Sequence, residues 1–272
     1  MAVKTKVVLL GTGTPNPDPE RAGPSVAIVV NATIYIVDFG AGVVRRAAAA
    51  GLKISDLTRG FLTHLHSDHT IGYPDLIFTP GIAGRTVPME VYGPKGIGKM
   101  TDHIMKAYEA DLDERISGLE PTGRDAFVIH THEISEGEIY SDELVKVKAF
   151  RVDHGSLESY GYRFEGPDRT VIISGDTRPS ESLVENARGC DVLVHEVYSE
   201  KGLQTRPHDW QKYHRAVHTS TYELAEIAEK VRPGLLVMYH QLHWNQSDDQ
   251  LLTEISERYD GKVVSGRDLD VF

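Results

Sequence analysis

Cysteine is almost absent from this chain: Cys190 is the single thiol among 272 residues. One thiol forms no intramolecular disulfide and no multi-thiolate zinc site, a composition that suits a reducing, cytoplasmic setting. Long apolar runs are missing too. Nothing approaches the ~20 residues of a membrane helix. The start runs directly into the strand-like Val7-Val8-Leu9-Leu10, without the basic stretch, apolar core and small-residue cleavage site of a signal peptide. Excess positive charge is also lacking. Lys and Arg number 29 against 40 Asp and Glu, a net −11 at pH 7, which disfavours non-specific binding to nucleic acid or phospholipid. A local basic patch, or the charge of a bound metal, lies outside that count. No linker, repeat or low-complexity tract divides the chain, so residues 1–272 read as one globular domain.

Histidine is what the chain concentrates. Thr63-His64-Leu65-His66-Ser67-Asp68-His69 places three imidazoles and a carboxylate within six residues, after the apolar run Gly60-Phe61-Leu62-Thr63. Alternation puts His64 and His66 on one side of an extended segment. A turn at Ser67 brings Asp68 and His69 round to them. Imidazole nitrogen and carboxylate oxygen are ligands for Zn²⁺, Fe and Mn, so the stretch supplies part of a metal site and needs ligands from elsewhere.

Strands are expected over residues 6–10, then as a hairpin over 25–30 and 33–37 split by Asn31-Ala32, and over 61–63, 88–92, 127–132, 144–152, 160–164, 170–173 and 191–194. The last is apolar throughout, as in a strand covered on both faces. Further strands are expected over 235–239, 262–265 and 269–272, and helices over 43–50, 97–110, behind the capping box Ser220-Thr221-Tyr222-Glu223, and over 248–259. Residues 111–125 read as the most irregular part. Residues 199–217 show no periodicity and read as a long loop, which in a compact domain points to function. Its aromatics, Trp210 and Tyr213, suit a pocket wall. Asp38, at a strand end, reads equally as a loop clamp or a residue around a metal. His130 and His132 read as ordinary strand histidines, since Glu133 points to the opposite face.

Several later strands end in ligand-type residues: His154, Asp176, His195 and His240. Two sheets packed face to face bring such ends to one edge. His64, His66 and His154 then make one site, Asp68, His69 and His240 the other, and Asp176 bridges them. Paired divalent ions of this kind, ~4 Å apart with a bridging hydroxide, yield a nucleophile at neutral pH.

Taken in order, His64-Leu65-His66-Ser67-Asp68-His69, His154, Asp176 in Ser-Gly-Asp-Thr, and His240 resemble the metallo-β-lactamase superfamily, over nearly the whole chain. The resemblance implies an α+β fold, the αββα four-layer sandwich, with a two-metal centre, usually Zn²⁺ with Mn²⁺ or Fe as alternatives, and a homodimer. It makes Asp38 the residue that orients the metal loop. Leu10-Gly11-Thr12-Gly13-Thr14-Pro15, His195-Glu196-Val197-Tyr198 and His218-Thr219-Ser220-Thr221 are similar to the ribonuclease Z branch and its arylsulfatase and phosphodiesterase relatives. That similarity implies that Asp68 binds metal and positions the nucleophile, and that Glu196 pairs with His218. His218 then donates a proton to, or stabilises, the leaving oxygen. A helix-preceding histidine and a structural glutamate are the plain alternatives.

Two departures matter. The long tRNA-gripping arm that this branch carries between the positions of His154 and Asp176 is reduced here to two strands and a turn. The last ligand is followed by Gln241-Leu242-His243-Trp244, so His243 competes with His240. The sequence therefore favours a small phosphodiester or sulfate ester as substrate, with RNA cleavage of the tRNA 3′-processing kind or a lactonase-type carbonyl hydrolysis as alternatives. Substrate choice is expected from residues 199–217 and the surroundings of Trp244.

Overall fold

The computed structural model describes residues 4–120 and 122–272. It opens with β1 (Thr5–Gly11), β2 (Ser25–Val30) and β3 (Thr33–Val37). The turn between the last two is the expected Asn31-Ala32, with Asn31 left-handed at φ 56°. Then follow α1 (Val43–Ala49), β4 (Arg59–Phe61), α2 (Ser67–Thr70), α3 (Tyr73–Ile82), β5 (Met89–Gly93), α4 (Ile97–Ala107), α5 (Glu109–Ser117) and β6 (Ile129–Glu133). The six strands form one sheet in sequence order.

The second sheet holds β7 (Gly137–Ser141), β8 (Lys146–His154), β9 (Leu157–Glu165), β10 (Thr170–Ile173), β11 (Val192–Tyr198), β12 (Leu235–Leu242) and β13 (Val263–Ser265), ordered from β13 back to β7. Its helices are α6 (Glu181–Ala187), α7 (Glu200–Leu203), α8 (His208–Val217), α9 (Thr221–Val231) and α10 (Asp248–Ser256).

Alternation along the strands builds three apolar layers. In β1, Val7 and Leu9 face the second sheet and meet Val171, Val194, Val237 and Tyr239. Val8 and Leu10 face the other way, onto Val43, Ala47, Leu76 and Ile77 of α1 and α3. The outer face of the second sheet, with Ile172, Leu193, Leu236 and Met238, is covered by Leu183, Leu224, Ile227 and Leu251 from α6, α9 and α10. Helix, sheet, sheet, helix is the expected αββα sandwich. β11 is buried along its whole length. Cys190 packs in the outer layer, where burial pushes its thiol up to about 12. No helix of the described residues is long and apolar enough to cross a membrane.

Several elements differ from expectation. The 111–125 region is not irregular at its start: α5 covers Glu109–Ser117, anchored by Leu112, with Arg115 paired to Asp111 and Glu120. One apolar anchor per two turns left no periodic signal. The 199–217 stretch is two helices, α7 capped by the Ser199 hydroxyl and α8 begun after Pro207. In α8, Trp210, Tyr213, His214 and Val217 recur at helical spacing, with His214 and Val217 buried, so the expected loop is an amphipathic helix. The expected strand over 269–272 runs along β1, with Leu269 N–H donating to Leu9 O and Phe272 N–H to Val7 O, but forms only one isolated bridge.

Arg85 is the largest side chain buried to under 2% exposure. Among the described residues it has no carboxylate partner. Its guanidinium donates instead to the carbonyls of Leu57, Ile77 and Ala126 at 3.2, 2.7 and 2.7 Å, tying α3 to two loops beneath the first sheet. Burial pulls its pKa down to about 10. Arg85→Met fills similar volume but leaves those carbonyls short of donors. It is expected to cost about 2–4 kcal/mol, read as a lower urea midpoint with unchanged slope.

Candidate metal centre

The site begins with a clamp. Asp38 ends β3 in a left-handed conformation, φ 61°, uncommon outside glycine and costly unless held. Its buried carboxylate holds it there. Oδ1 accepts from Thr63 N and Thr63 Oγ1 at 2.8 and 2.9 Å, and Oδ2 accepts from His69 Nδ1 at 2.8 Å. Behind it, Phe39 N–H donates to His69 O and Gly72 N–H to Phe39 O. A Cβ at Gly72 would lie 2.2 Å from Gly40 O, so only glycine allows this approach. Both ends of the 63–69 loop are thereby fixed to β3.

The outer nitrogens of the histidines are committed. His154 Nδ1–H donates to Val217 O at 2.8 Å. Thr63 Oγ1 gives its proton to Asp38 and so accepts from His64 Nδ1 at 3.0 Å. With the outer nitrogens committed, the inner Nε2 atoms of His64, His154 and His69 are the ones that face a metal. Burial opposes charge on His69, but Asp176 and Asp38 raise it well above its ordinary pKa, so a metal there would displace a proton. The Nε2 atoms converge. His64 Nε2 and His154 Nε2 both face His66 Nδ1, at 3.0 and 3.1 Å, although a single ring nitrogen has at most one proton to offer. His69 Nε2 and Asp176 Oδ1 are buried without a hydrogen-bond partner among the described residues, and are 3.4 Å apart. Burial, then the neighbouring His69, drives His64 well below its ordinary pKa, to the neutral form that binds metal.

Two ligand groups result: His64, His66, His154 and Asp176, and beside it Asp68, His69 and His240. Asp176 faces both. Its Oδ2 lies 3.9 Å from His64 Nε2 and from His154 Nε2 and 3.7 Å from His240 Nε2, while Oδ1 faces His69. Asp68 Oδ2 is 3.2 Å from His240 Nε2. Converging lone pairs, carboxylate oxygens and orphaned buried atoms are the donor set of a metal site, and these residues fit one.

His240 comes to the cluster by a different route from the one expected. It does not end its strand, since β12 continues to Leu242. The ladder with β11 pairs Glu196 with Tyr239 and Val197 with Gln241, leaving His240 as an extra residue in a bulge at φ 47°. The bulge turns its ring toward Asp68. His243, the competing ligand, is instead held by Asp248 Oδ1 at 2.8 Å. His195, expected at a strand end, lies inside β11, which continues to Tyr198; it bonds through Nδ1 to Glu196 O and joins neither group.

Beside the cluster, Glu196 is fully buried, and its Oε1 accepts from Thr177 N, Thr219 N and His218 Nδ1, each at 3.1 Å. Burial opposes charge on His218, but Glu196 and then Asp176 outweigh it and raise its pKa. His218 lines a cavity of about 330 Å³ that also reaches His66, Asp68, Asp176 and His240. The cavity wall includes Pro15, the last residue of the opening motif, and Asn16 and Arg206, for which no motif spacing gave a signal. Thr63, the residue through which Asp38 acts, was likewise legible only as strand. Away from the site, His130 and His132 do share a carboxylate, from Glu90 on neighbouring β5 at 2.7 Å to each. Glu133 instead accepts from Gly96 N.

An αββα sandwich with a histidine and aspartate cluster at the ends of its strands defines a class of metal-dependent hydrolases. The model of the beta-lactamase superfamily domain matches residues 28–241, and the chain belongs to the metallo-β-lactamase superfamily. It is 33% identical over 270 residues to a protein of Mycobacterium marinum named ribonuclease Z, covering 97% of this chain and 96% of that one. A ribonuclease Z of Mycobacterium tuberculosis is 32% identical over 267 residues, with the same coverage. Among solved structures, the metallo-β-lactamase fold protein YhfI from Bacillus subtilis aligns with a TM-score of 0.77 at 17% identity over 98% of both chains. The short form of human tRNase Z gives 0.74 at 24%, again over 98% of both.

Asp38→Ala releases His69 and Thr63 and is expected to lower metal affinity about 10–100-fold, measured by metal retention against a chelator. His240→Ala is expected to lower bound metal per chain, and His243→Ala to leave it at the wild-type level by elemental analysis. The reverse pattern would make His243 the ligand.

Proposed function

We propose that the chain is a two-zinc phosphodiesterase of the ribonuclease Z type, cutting an RNA strand at a tRNA 3′ end. The observation that carries this reading is the end-to-end match to proteins named ribonuclease Z, 33% identical over 97% of the chain, with the Glu196–His218 pair beside the ligand cluster. Sequence alone put a small phosphodiester or sulfate ester ahead of RNA, because of the missing arm and the acidic charge. The match weakens the first argument. The chain accounts for 96% of the Mycobacterium marinum relative, which leaves that ribonuclease Z no room for a large inserted arm either. The second concerned a whole-molecule average, which does not describe the cleft.

His64, His66, His154, Asp68, His69, His240 and the shared Asp176 would hold the metal, which when bound would supply Lewis acidity and lower the pKa of a water toward neutrality. The chain's own residues do the rest. Asp68 is part-exposed at the cavity edge, with Oδ2 between His69 Nε2 at 3.6 Å and His240 Nε2 at 3.2 Å, which suits it to accept a proton from the attacking water and aim it. His218, its Nδ1 held by Glu196, presents the other ring nitrogen to the cavity and donates a proton to the departing ribose oxygen. Glu196 fixes the tautomer and supports the charged ring. Thr177 and Thr219 backbone N–H groups fix Glu196 in turn.

The test is a panel on zinc-loaded protein: precursor tRNA with a 3′ trailer, a bis-aryl phosphate, an aryl sulfate and a lactone. Precursor tRNA is expected to be cut at one site with the highest kcat/KM. His218→Ala is expected to lower kcat about 10²–10⁴-fold with bound metal unchanged. Turnover of the aryl sulfate or the lactone with no RNA cleavage would replace this reading with one of the alternatives.

A further inference from the structure

The cavity that reaches the metal ligands has a second wall made by α8, and the catalytic roles above leave it unused. Trp210 and Tyr213 line it while remaining 51% and 42% exposed. Large aromatic rings left half open at the mouth of a polar site are available to a ligand. Their rings stand edge to face, centroids 5.9 Å apart at 89°. They are not loosely placed. His214, buried one turn behind, lies nearly parallel to Trp210 at 5.8 Å and packs against Trp244 at 4.6 Å and His218 at 5.3 Å. Burial and the adjacent His218 lower His214 to about 4, so it packs there as a neutral ring. The aromatic wall is thus continuous with the proton donor. Arg206 is the one Lys or Arg lining the cavity, and its guanidinium forms no salt bridge among the described residues.

We propose that Trp210 and Tyr213 form a stacking subsite for the nucleobase next to the scissile phosphodiester, with Arg206 taking an adjoining phosphate. This rests on the RNA reading above and names its recognition chemistry. An open aromatic face takes any base, because every base has a π-face. Arginine supplies a planar fork for phosphate oxygens. A net charge of −11 gives the protein little bulk attraction for a phosphate backbone, so affinity has to come from a few local contacts of this sort. His214 is a positioning residue, holding Trp210 against the pocket rather than touching the base.

Both tryptophans of the chain line this cavity, so their fluorescence reports its occupancy. Zinc-loaded protein is titrated with adenosine 5′-monophosphate, uridine 5′-monophosphate and ribose 5-phosphate. Both nucleotides are expected to quench and to bind at least about tenfold tighter than the sugar phosphate. Trp210→Ala, read through Trp244, is expected to lose about tenfold in nucleotide affinity, with ribose 5-phosphate affinity held. Trp210→Phe, which keeps a ring, is expected to restore most of it. Arg206→Gln is expected to weaken all three ligands alike. Equal affinity for nucleotide and sugar phosphate, or a Trp210→Ala variant that binds nucleotides as the wild type does, would overturn the subsite. The assay involves no cleavage, so it separates the two ideas. Base-dependent binding by a protein that cuts no precursor tRNA sustains the subsite and removes the proposed reaction. Cleavage without base-dependent binding does the opposite.

Discussion

Everything at the candidate centre depends on one buried carboxylate that is not itself in either ligand group. Asp38 takes three donors, two from Thr63 and one from His69. Each fixes something different: the start of the histidine loop, the hydroxyl that accepts from His64, and the tautomer of His69. A loop with five polar side chains in six residues would be expected to face water and sample many conformations. Here its ends are pinned to β3 and its histidines have their protons assigned on the outer side. The inner nitrogens are left facing one another in a dry interior, where a group with no partner is costly. The left-handed backbone at Asp38 is strain held in place by those same three bonds.

The legible parts of the site share one property: their ligand residues follow an apolar run directly, so local pattern locates them. The loop from His64 to His69, His154 after its strand and Asp176 after Ile173 are all of this kind. His240 shows the limit. Strand pattern placed it at an end, but it is a bulged residue inside β12, and a bulge depends on the register of the neighbouring strand, which one segment's sequence does not carry. The same reason hid Glu90, which meets His130 only because β5 and β6 pair in that register. His243 stood out by residue type alone, and the Asp248 carboxylate that removes it from the cluster comes from the start of α10.

Fold class was legible because the central strands are apolar runs buried on both faces and helices such as α9 carry apolar stripes. Of the two stretches misread as irregular, α5 buries only Leu112, while α8 buries His214 and Val217, as many as the correctly expected α4. Each is held by one or two anchors and by caps or ion pairs, signals that periodicity does not weigh. In α8 the reason lies in its position: one side meets the sandwich through His214 and Val217, and another faces the cavity with aromatic rings half exposed. Its Trp210, Tyr213, His214 and Val217 nonetheless recur at helical spacing, split between a packed and an open surface.

This division has a physical consequence for how the chain accommodates change. The ligands are fixed by strand ends, a bulge and a buried clamp, all within two packed sheets, where close packing transmits any shift. The aromatic wall is carried on a helix with two buried anchors, so an exchange at Trp210 or Tyr213 removes little core contact. On the proposed reading, the metal chemistry and the choice of substrate therefore lie on elements with very different tolerance. A whole-chain charge of −11 says little about that choice, because it sums forty acidic side chains spread over the surface, of which only Asp68 and Asp176 reach the cavity, both beside the ligand histidines. What a substrate meets is local: an arginine, two open rings and a histidine held by a buried glutamate.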